Sequence, residues 1–407
     1  MTLPHTAQAL RPLRLTSWPP QVRLALAGTV LTHVLGFANA FLAYALTHRG
    51  LNSAAVSAVL SAYGAGWIAG QLAFGHLTDT LGRRRTLILA NAASAVVLIT
   101  LPLLHALPAL LTGAFVLGAV LDGSRPAVSA LINDQLADSA QRTRVNGWRH
   151  WCLNAGAALA GATGGLIADR YGYGPLFVAN AASCAAFAVL AAVLLPVEPH
   201  RTRHHRHEGP GLASLLGDDR LHWLLAGSLC AFTCAVSLTS ALPILMVQDR
   251  LPAADYGLAN AANALAVLAL TPPLTVVLTR RARRTPLVAD LAVGSLILGA
   301  GMGGCALAHT TPGYLTAVVA ATPGEIILAV AAYDVLARIA PAHLQGRYQG
   351  ALGMALASAG LLAPALTSLA LHLGGRPAVG LALAALGVLG ALCCLPLHHR
   401  MPKGMSS

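Results

Sequence analysis

The chain has 407 residues, of which 56% are hydrophobic and only 10% are charged, with a formal net charge of +12. Soluble globular domains carry roughly 25% charged residues, so this composition excludes a soluble protein. The basic residues lie in short segments between apolar runs, which indicates membrane topology and no nucleic-acid partner. The seven cysteines lie inside apolar runs, which predicts neither a disulfide framework nor a metal site.

Twelve apolar runs follow one another along the chain, each near the ~20 residues that a membrane-spanning helix needs. The first run follows a basic segment, as in a signal peptide. It continues to Leu46, however, and exceeds the ~7–15 residues of a signal-peptide core, so we expect it to be retained. The pattern predicts an all-α integral membrane protein with 12 transmembrane helices, at residues 24–46, 53–74, 86–107, 109–133, 148–168, 174–196, 222–247, 256–279, 286–308, 313–337, 350–372 and 377–397.

A polar segment separates the runs into two sets of six. It predicts an N-terminal six-helix bundle over residues 1–196, a cytoplasmic linker over 197–220 and a C-terminal six-helix bundle over 221–407. The linker contains a His-rich stretch from Arg201 to His207, which is typical of a solvated segment that attracts lipid headgroups. Metal binding is the alternative interpretation of this stretch.

The basic residues predict the orientation. Of the 26 Lys and Arg residues, 21 fall in segments on the side of the N-terminus and four in loops on the opposite side, with Arg125 inside a helix. Because basic loops stay in the cytoplasm, both termini are expected there. We expect a multi-pass protein of the inner (plasma) membrane.

The two halves repeat each other at one spacing. Arg144-Val-Asn-Gly147 and Arg347-Tyr-Gln-Gly350 lie 203 residues apart, and so do Asp122 and Glu325. Two matches at one offset predict an internal duplication, with two bundles related by pseudo-twofold symmetry. In transporters built this way, the substrate site lies near the membrane midplane between the repeats.

The segment after the second run is Gly75-His-Leu-Thr-Asp79-Thr-Leu-Gly82-Arg83-Arg84-Arg85. It resembles the G-x-L-x-D-R-x-G-R-R motif of the major facilitator superfamily and departs from it at Thr80. The resemblance implies a conformational latch, formed by Gly75, Asp79, Gly82, Arg83 and Arg84, that holds the two halves together in the outward-facing state. The same resemblance implies alternating access and a cavity lined by helices 1, 4, 7 and 10.

The fifth run contains a series of small residues from Gly156 to Gly165. It is similar to the antiporter motif g-x-x-x-G-P-x-x-G-G, with Ala160-Gly161 in place of Gly-Pro. Together with the segment from Thr322 to Gly350, it resembles bacterial multidrug-resistance members of the superfamily, which are drug:proton antiporters. An ordinary packing face between two helices is the alternative, since small residues let membrane helices approach closely.

Three charged residues lie deep inside predicted helices, where a charge costs ~2.5–3.5 kcal/mol on insertion scales. Asp122 and Arg125 are three residues apart, so they share a helix face. Glu325 has no basic residue within a turn. We predict that these three side chains couple transport to protons. A permanent ion pair and a neutral, hydrogen-bonded glutamic acid are the structural alternatives.

Several uncharged polar residues are candidates for the substrate cavity: Asn39, Asn154, Thr233, Ser237 and Asn263. Hydrogen bonds between helices would equally explain each of them alone. As a group they predict a few polar contacts in an apolar wall.

The leading functional hypothesis is therefore proton-coupled efflux of small apolar or amphipathic compounds. Proton-coupled uptake of a sugar, amino acid or organic acid is the alternative, which requires more charged and hydrogen-bonding groups in the cavity. A non-transporting membrane receptor is a third hypothesis. The chain has no Walker motif and no nucleophile–base set, so we expect neither an enzyme nor a cofactor. The expected partners are the solute, protons and the lipid bilayer, and we expect a monomer.

Overall fold

A computed structural model describes residues 18–136, 139–196, 217–341 and 344–401. The regular structure in these ranges is helical. The helices are α1 Pro20–Val34, α2 Phe37–His48, α3 Ser53–Leu81, α4 Arg83–Thr100, α5 Leu107–Leu121, α6 Ser124–Gln135, α7 Ser139–Tyr171, α8 Gly174–Leu194, α9 Asp219–Val236, α10 Ala241–Gln248, α11 Ala253–Ala282, α12 Val288–Gly304, α13 Thr311–Ile339 and α14 Gln345–Arg400. Most of the predicted linker, including the His-rich stretch, lies outside the described residues.

Eleven helical segments of the described ranges are long and apolar enough to cross a membrane. This makes the chain an all-α, multi-pass membrane protein. The last of them, α14, contains 56 residues and covers two predicted runs. Its backbone is non-helical at Gly374 and Gly375, and Gly375 has a φ of 64°, which a residue without a Cβ adopts readily. The number of twelve crossings stays a prediction, because it depends on a reversal at these glycines.

Three predicted helices are each divided into two. The run at 24–46 becomes α1 and α2, the run at 109–133 becomes α5 and α6, and the run at 222–247 becomes α9 and α10. A proline follows two of the breaks: Pro126 cannot donate to the Asp122 carbonyl, and Pro243 cannot donate to the Thr239 carbonyl. The Asp122 carbonyl accepts a tighter hydrogen bond of 3.0 Å from the Arg125 amide instead. Apolar periodicity does not report such breaks, because both pieces remain apolar.

The helices within the N-terminal half (the described residues up to 196) pack at glycines. A methyl group at Gly66 would overlap the Phe115 carbonyl, and one at Gly70 would overlap the Ala119 carbonyl, so α3 and α5 touch backbone to backbone. Small residues permit this closeness between membrane helices. All seven cysteines are free.

The C-terminal half (the described residues from 217 onward) contains a polar network at the end of α10. Asp249 accepts hydrogen bonds from Arg376 at 2.5 Å, Tyr314 at 2.7 Å and, at 3.3 Å, the ring of His309. Desolvation raises the pKa of the Asp249 carboxyl, but these hydrogen bonds outweigh it, and the net pKa lies below its ordinary value of 3.8. The network joins the end of α10 to the start of α13 and to the second part of α14.

We predict that Asp249→Asn destabilises the protein in a pH-dependent way. A carboxyl whose folded-state pKa is lowered contributes stability that is present above its ordinary pKa and is lost as the pH falls through the folded value. At pH 7 the substitution should reduce the free energy of unfolding by about 1.5–3 kcal/mol, as for loss of hydrogen bonds to a charged group. Thermal unfolding should show the difference from wild type narrowing below pH 3.8. Asp219→Asn, at an exposed ion pair, serves as the control. Equal melting temperatures at pH 7 would contradict the prediction.

Candidate functional site

A cavity of about 390 Å³ lies between the two halves. Both halves contribute polar side chains to its wall. They are Thr29, Thr32, His33, Asn39, Tyr63, Trp67, Asp122, Ser124, Arg125, Arg149, Asn154 and Asn180 from the N-terminal half, and Thr239, Asn260, Asn263 and Glu325 from the C-terminal half. A cavity of this size accommodates a small molecule.

The three helix breaks are located at this cavity. Gly36, Asp122 and Thr239 lie at or beside the α1–α2, α5–α6 and α9–α10 breaks, and all three residues line the wall. In a membrane, irregular backbone is tolerated where it is buried in protein or lines a cavity. The breaks therefore place polar backbone and side chains where a polar ligand would bind.

Asp122 and Arg125 face each other across the α5–α6 break. The shortest distance between their charged groups is 3.7 Å, which exceeds the length of a hydrogen bond. The Arg125 side chain is 40% exposed and that of Asp122 is 28% exposed. The two residues thus form a loose, solvent-accessible pair, and the guanidinium N–H groups of Arg125 can also donate hydrogen bonds to a third group.

Glu325 lies in the opposite wall, on α13. Asn263 of α11 donates a hydrogen bond of 3.2 Å to one carboxylate oxygen of Glu325 and another of 3.1 Å to the Thr322 hydroxyl. Thr322 in turn donates to the Val318 carbonyl at 3.0 Å. Asn263 therefore orients the Glu325 carboxyl without supplying a positive charge, and the carboxyl faces a cavity from which a proton can reach it.

Not all predicted cavity residues lie at the cavity. Asn39, Asn154 and Asn263 are in its wall. Thr233 and Ser237 do not line it: both are buried and donate to carbonyls of their own helix, Thr233 to Leu229 and Ser237 to Thr233, each at 2.8 Å, and their place in the substrate cavity stays a prediction. A hydroxyl that returns to the preceding turn in this way is satisfied locally.

Other cavity residues were missed. Arg149 was counted only among the basic residues on the side of the N-terminus, but it lies within α7 and lines the cavity. His33 also lines the cavity, and its Nδ1 lies 2.9 Å from the Thr29 carbonyl oxygen. Tyr63 was also missed, and the 203-residue repeat gives no signal for it, because that spacing leads to Ala266.

The predicted latch is helical rather than a loop. Residues 75–81 form the end of α3, Gly82 alone makes the turn with a φ of 86°, and Arg83 begins α4. Arg83 pairs with Asp134 at 2.8 Å and Arg84 donates to the Ala192 carbonyl at 2.6 Å, both within the N-terminal half. Asp79 is exposed, and a methyl group at Gly75 would meet no atom within 4 Å. Gly75 therefore supports no close helix contact among the described residues, and the latching role stays a prediction.

Contacts between the halves close the opposite end of the cavity, which we call the outer end after the predicted orientation. The Asp169 carboxylate of α7 accepts hydrogen bonds of 3.0 Å from the amides of both Ala253 and Ala254, at the start of α11. Nearby, the Tyr44 hydroxyl donates to the Leu251 carbonyl at 3.3 Å, and the Tyr44 and Tyr256 rings stack at 5.3 Å. Asp169 thus caps a helix of the other half.

The small-residue series of α7 takes part in this closure. A methyl group at Gly161 would lie 2.8 Å from the Gly257 carbonyl oxygen, and one at Gly165 would lie 2.6 Å from the Ala253 carbonyl oxygen. Both target residues are in α11, so the series packs one half directly on the other. Its packing role is thereby established for this conformation.

We predict that Asp169→Ala opens the outer end. Loss of a helix N-cap costs about 0.5–2 kcal/mol, which corresponds to a population shift of about 2- to 30-fold. Hydrogen–deuterium exchange should become faster over residues 41–48 and 251–257. Asn52→Ala is the matched control, because Asn52 caps α3 within its own half through the Ala55 amide at 2.9 Å. Unchanged exchange in Asp169→Ala would contradict this role.

The fold has close structural relatives. A POT family transporter in complex with 5-aminolevulinic acid superposes with a TM-score of 0.75 at 14% identity, over 95% of this chain and 96% of that one. A POT family transporter with a thioalcohol conjugated peptide gives 0.75 at 13% identity, over 93% and 95%. A peptide transporter POT in complex with alafosfalin gives 0.72 at 15% identity, over 95% and 96%. At these identities the likeness establishes the fold alone.

The sequence comparisons give the family. No curated protein matches this chain. The family model described as Major Facilitator Superfamily matches residues 24–364, which is more than four-fifths of the 407 residues. Combined with the helical membrane fold and the cavity between two halves, this match shows that the chain belongs to the Major Facilitator Superfamily of transporters.

Proposed function

We propose that this protein is a proton-coupled secondary transporter that moves a small polar solute by alternating access. The observation that carries the proposal is the cavity, where Asp122, Arg125, Arg149 and Glu325 lie among amide side chains. An apolar wall with a few polar contacts, as expected for an exporter of apolar compounds, does not describe this composition. Uptake by symport requires charged and hydrogen-bonding groups of the kind found here.

The architecture that goes with this proposal has twelve crossings. Two six-helix bundles, residues 1–196 and 221–407, rock about the cavity, and a cytoplasmic linker at 197–220 connects them. Both termini face the cytoplasm. The break at Gly374 and Gly375 supports the reversal between crossings eleven and twelve. The outer contacts of Asp169 and Tyr44 support an inward-open conformation.

Structural neighbours also favour uptake of a polar solute. The neighbouring transporters are described in complexes with a peptide conjugate and with 5-aminolevulinic acid, both small polar molecules. Glu325 is the proton acceptor in our proposal, because it lies at the cavity without a basic partner and Asn263 keeps its orientation. Asp122 and Arg125 act together: protonation of Asp122 releases Arg125 toward the solute.

Efflux by antiport is the second candidate, and the small-residue series of α7 favours it. This series resembles the antiporter motif and closes the outer end against α11. A transporter that rests with its outer end closed and its cavity open to the cytoplasm is suited to collecting cytoplasmic solutes. The two candidates differ in the sign of proton movement relative to the solute.

The test measures that sign. Purified protein is reconstituted into liposomes containing a pH-sensitive dye, with the membrane potential clamped by potassium and valinomycin. Alanyl-alanine, 5-aminolevulinic acid, amino acids, sugars and lipophilic cations are then added outside. Symport acidifies the lumen and antiport makes it alkaline, whichever way the protein is inserted. Acidification by a polar solute is the expected result. If the protein is shown to be folded and none of the solutes causes proton movement, proton-coupled transport is overturned.

A further inference from the structure

The wall contributed by the N-terminal half has an excess of positive charge among the described residues that line the cavity. Arg125 and Arg149 are both cationic, and Asp122 is the only acidic residue of that wall. His33, Asp122, Arg125 and Arg149 lie within electrostatic range of one another. The single carboxylate cannot neutralise two guanidinium groups, so one positive charge of this wall has no counter-ion in the same wall among the described residues. A charge inside a membrane protein is costly unless an anion accompanies it.

The hydrogen-bond donors of this wall are also incompletely used. Arg149 donates one hydrogen bond of 3.2 Å to the Ser129 hydroxyl, a neutral group, while its Nε is buried without an acceptor. The indole Nε1 of Trp67, a residue that lines the same cavity, is likewise buried without an acceptor. Arg125 is held only loosely by Asp122, at 3.7 Å. Buried donors without partners are uncommon in folded proteins, and two of those found among the described residues lie in this one wall.

We infer that Arg125, Arg149 and Trp67 form a subsite for an anionic group of the solute, with a carboxylate as the simplest fit. Guanidinium groups bind carboxylates through paired, charge-assisted hydrogen bonds, and the indole N–H adds a neutral donor. The bound anion neutralises the charge excess of the wall. Glu325, on the facing wall, is left to carry the proton. This inference rests on the proposed transport function and adds the chemical class of its substrate.

Matched solutes that differ only at the carboxylate provide the test. Alanyl-alanine is compared with its C-terminal amide, and 5-aminolevulinic acid with its methyl ester, by thermal stabilisation of the purified full-length protein and by solute-dependent proton movement. At least one of the two acids should stabilise the protein thermally and cause proton movement, and its neutralised partner should do neither. Arg149→Gln should raise the half-saturating concentration of that acid by about 10- to 100-fold, as for loss of a hydrogen bond to a charged group. Arg149→Lys should raise it less, because it keeps the charge.

The control is Arg142→Gln, which removes the same charge from the same helix away from the cavity and should change nothing. Equal responses to acid and amide, an unchanged response in Arg149→Gln, or no response to any acid would each overturn the anionic subsite. A neutral or cationic solute could instead drive proton movement that is unchanged in Arg149→Gln. That result would overturn the anionic subsite but not the transport function. Conversely, Arg149→Gln could weaken binding of the acid while no solute causes proton movement. That result would overturn the transport function but not the anionic subsite.

Discussion

Replacing Glu325 by Gln should abolish proton-coupled accumulation while leaving the solute able to bind and exchange. Gln has nearly the volume of Glu, and its side-chain oxygen can still accept the 3.2 Å hydrogen bond from Asn263. What it lacks is a group that takes up and releases a proton. A solute gradient can then no longer be driven by a proton gradient, because the two conformations no longer differ in proton affinity at this site.

The measurement is solute uptake into proteoliposomes under an imposed pH gradient, beside exchange of labelled for unlabelled solute without a gradient. In Glu325→Gln, we expect accumulation at the level of protein-free liposomes and exchange within a few-fold of wild type. Glu325→Asp should recover part of the accumulation, since it restores a carboxylate that is one methylene shorter.

Asp334→Asn is the matched control for this experiment. Asp334 lies on the same helix, but it is paired with Arg338 at 3.0 Å and accepts from the Leu287 amide at 3.1 Å, away from the cavity. Its loss should lower stability without uncoupling transport. Accumulation by Glu325→Gln at the wild-type level would show that the proton is carried elsewhere, with Asp122 the next candidate.

Adding one methyl group at Gly64 should have the second large effect. Gly64 of α3 lies against the backbone of Gly360 in α14, and a Cβ there would overlap the Gly360 carbonyl and the Leu361 amide. Main-chain atoms cannot move aside as a side chain does, so the two helices must separate. Overpacking of this kind costs about 1–3 kcal/mol or more. This cost affects the contact between the two halves, which must form and break during alternating access.

We therefore expect Gly64→Ala to reduce solute transport about tenfold or more, a change equivalent to ~1.4 kcal/mol. Gly360→Ala is a milder test of the same contact, because its methyl group would meet the ring edge of Trp67 at 3.0 Å, and a ring can tilt. Gly353→Ala, seven residues earlier on the same helix and with no atom within 4 Å, should transport normally. Equal rates for the Gly64 and Gly353 variants would show that the halves never approach closely at this level.

Composition and apolar periodicity alone determined the class of the protein. Twelve apolar runs predicted a helical membrane protein, and the helical segments of the structure fall on those runs, because in lipid a chain must satisfy its backbone groups within each segment. The superfamily also followed from sequence, through the Gly75–Arg85 motif, and the family comparison confirmed it. Glu325, Asp122 and Arg125 were found as candidates because charges inside apolar runs are rare.

Only the tertiary structure decided which side chains meet. Periodicity cannot tell a hydroxyl residue that is buried between helices, as Thr233 and Ser237 are, from one that lines a cavity, as Thr239 does; all three donate to a carbonyl of the preceding turn. It did not single out Arg149 as a cavity residue, because a cation near the end of an apolar run gives the same pattern whether it faces water or a cavity. The helix breaks at Gly36 and Asp122, and the Asp169 cap across the two halves, depend on contacts between residues far apart in the chain. Those contacts set the charge of the cavity wall, and with it the kind of solute that we expect this transporter to carry.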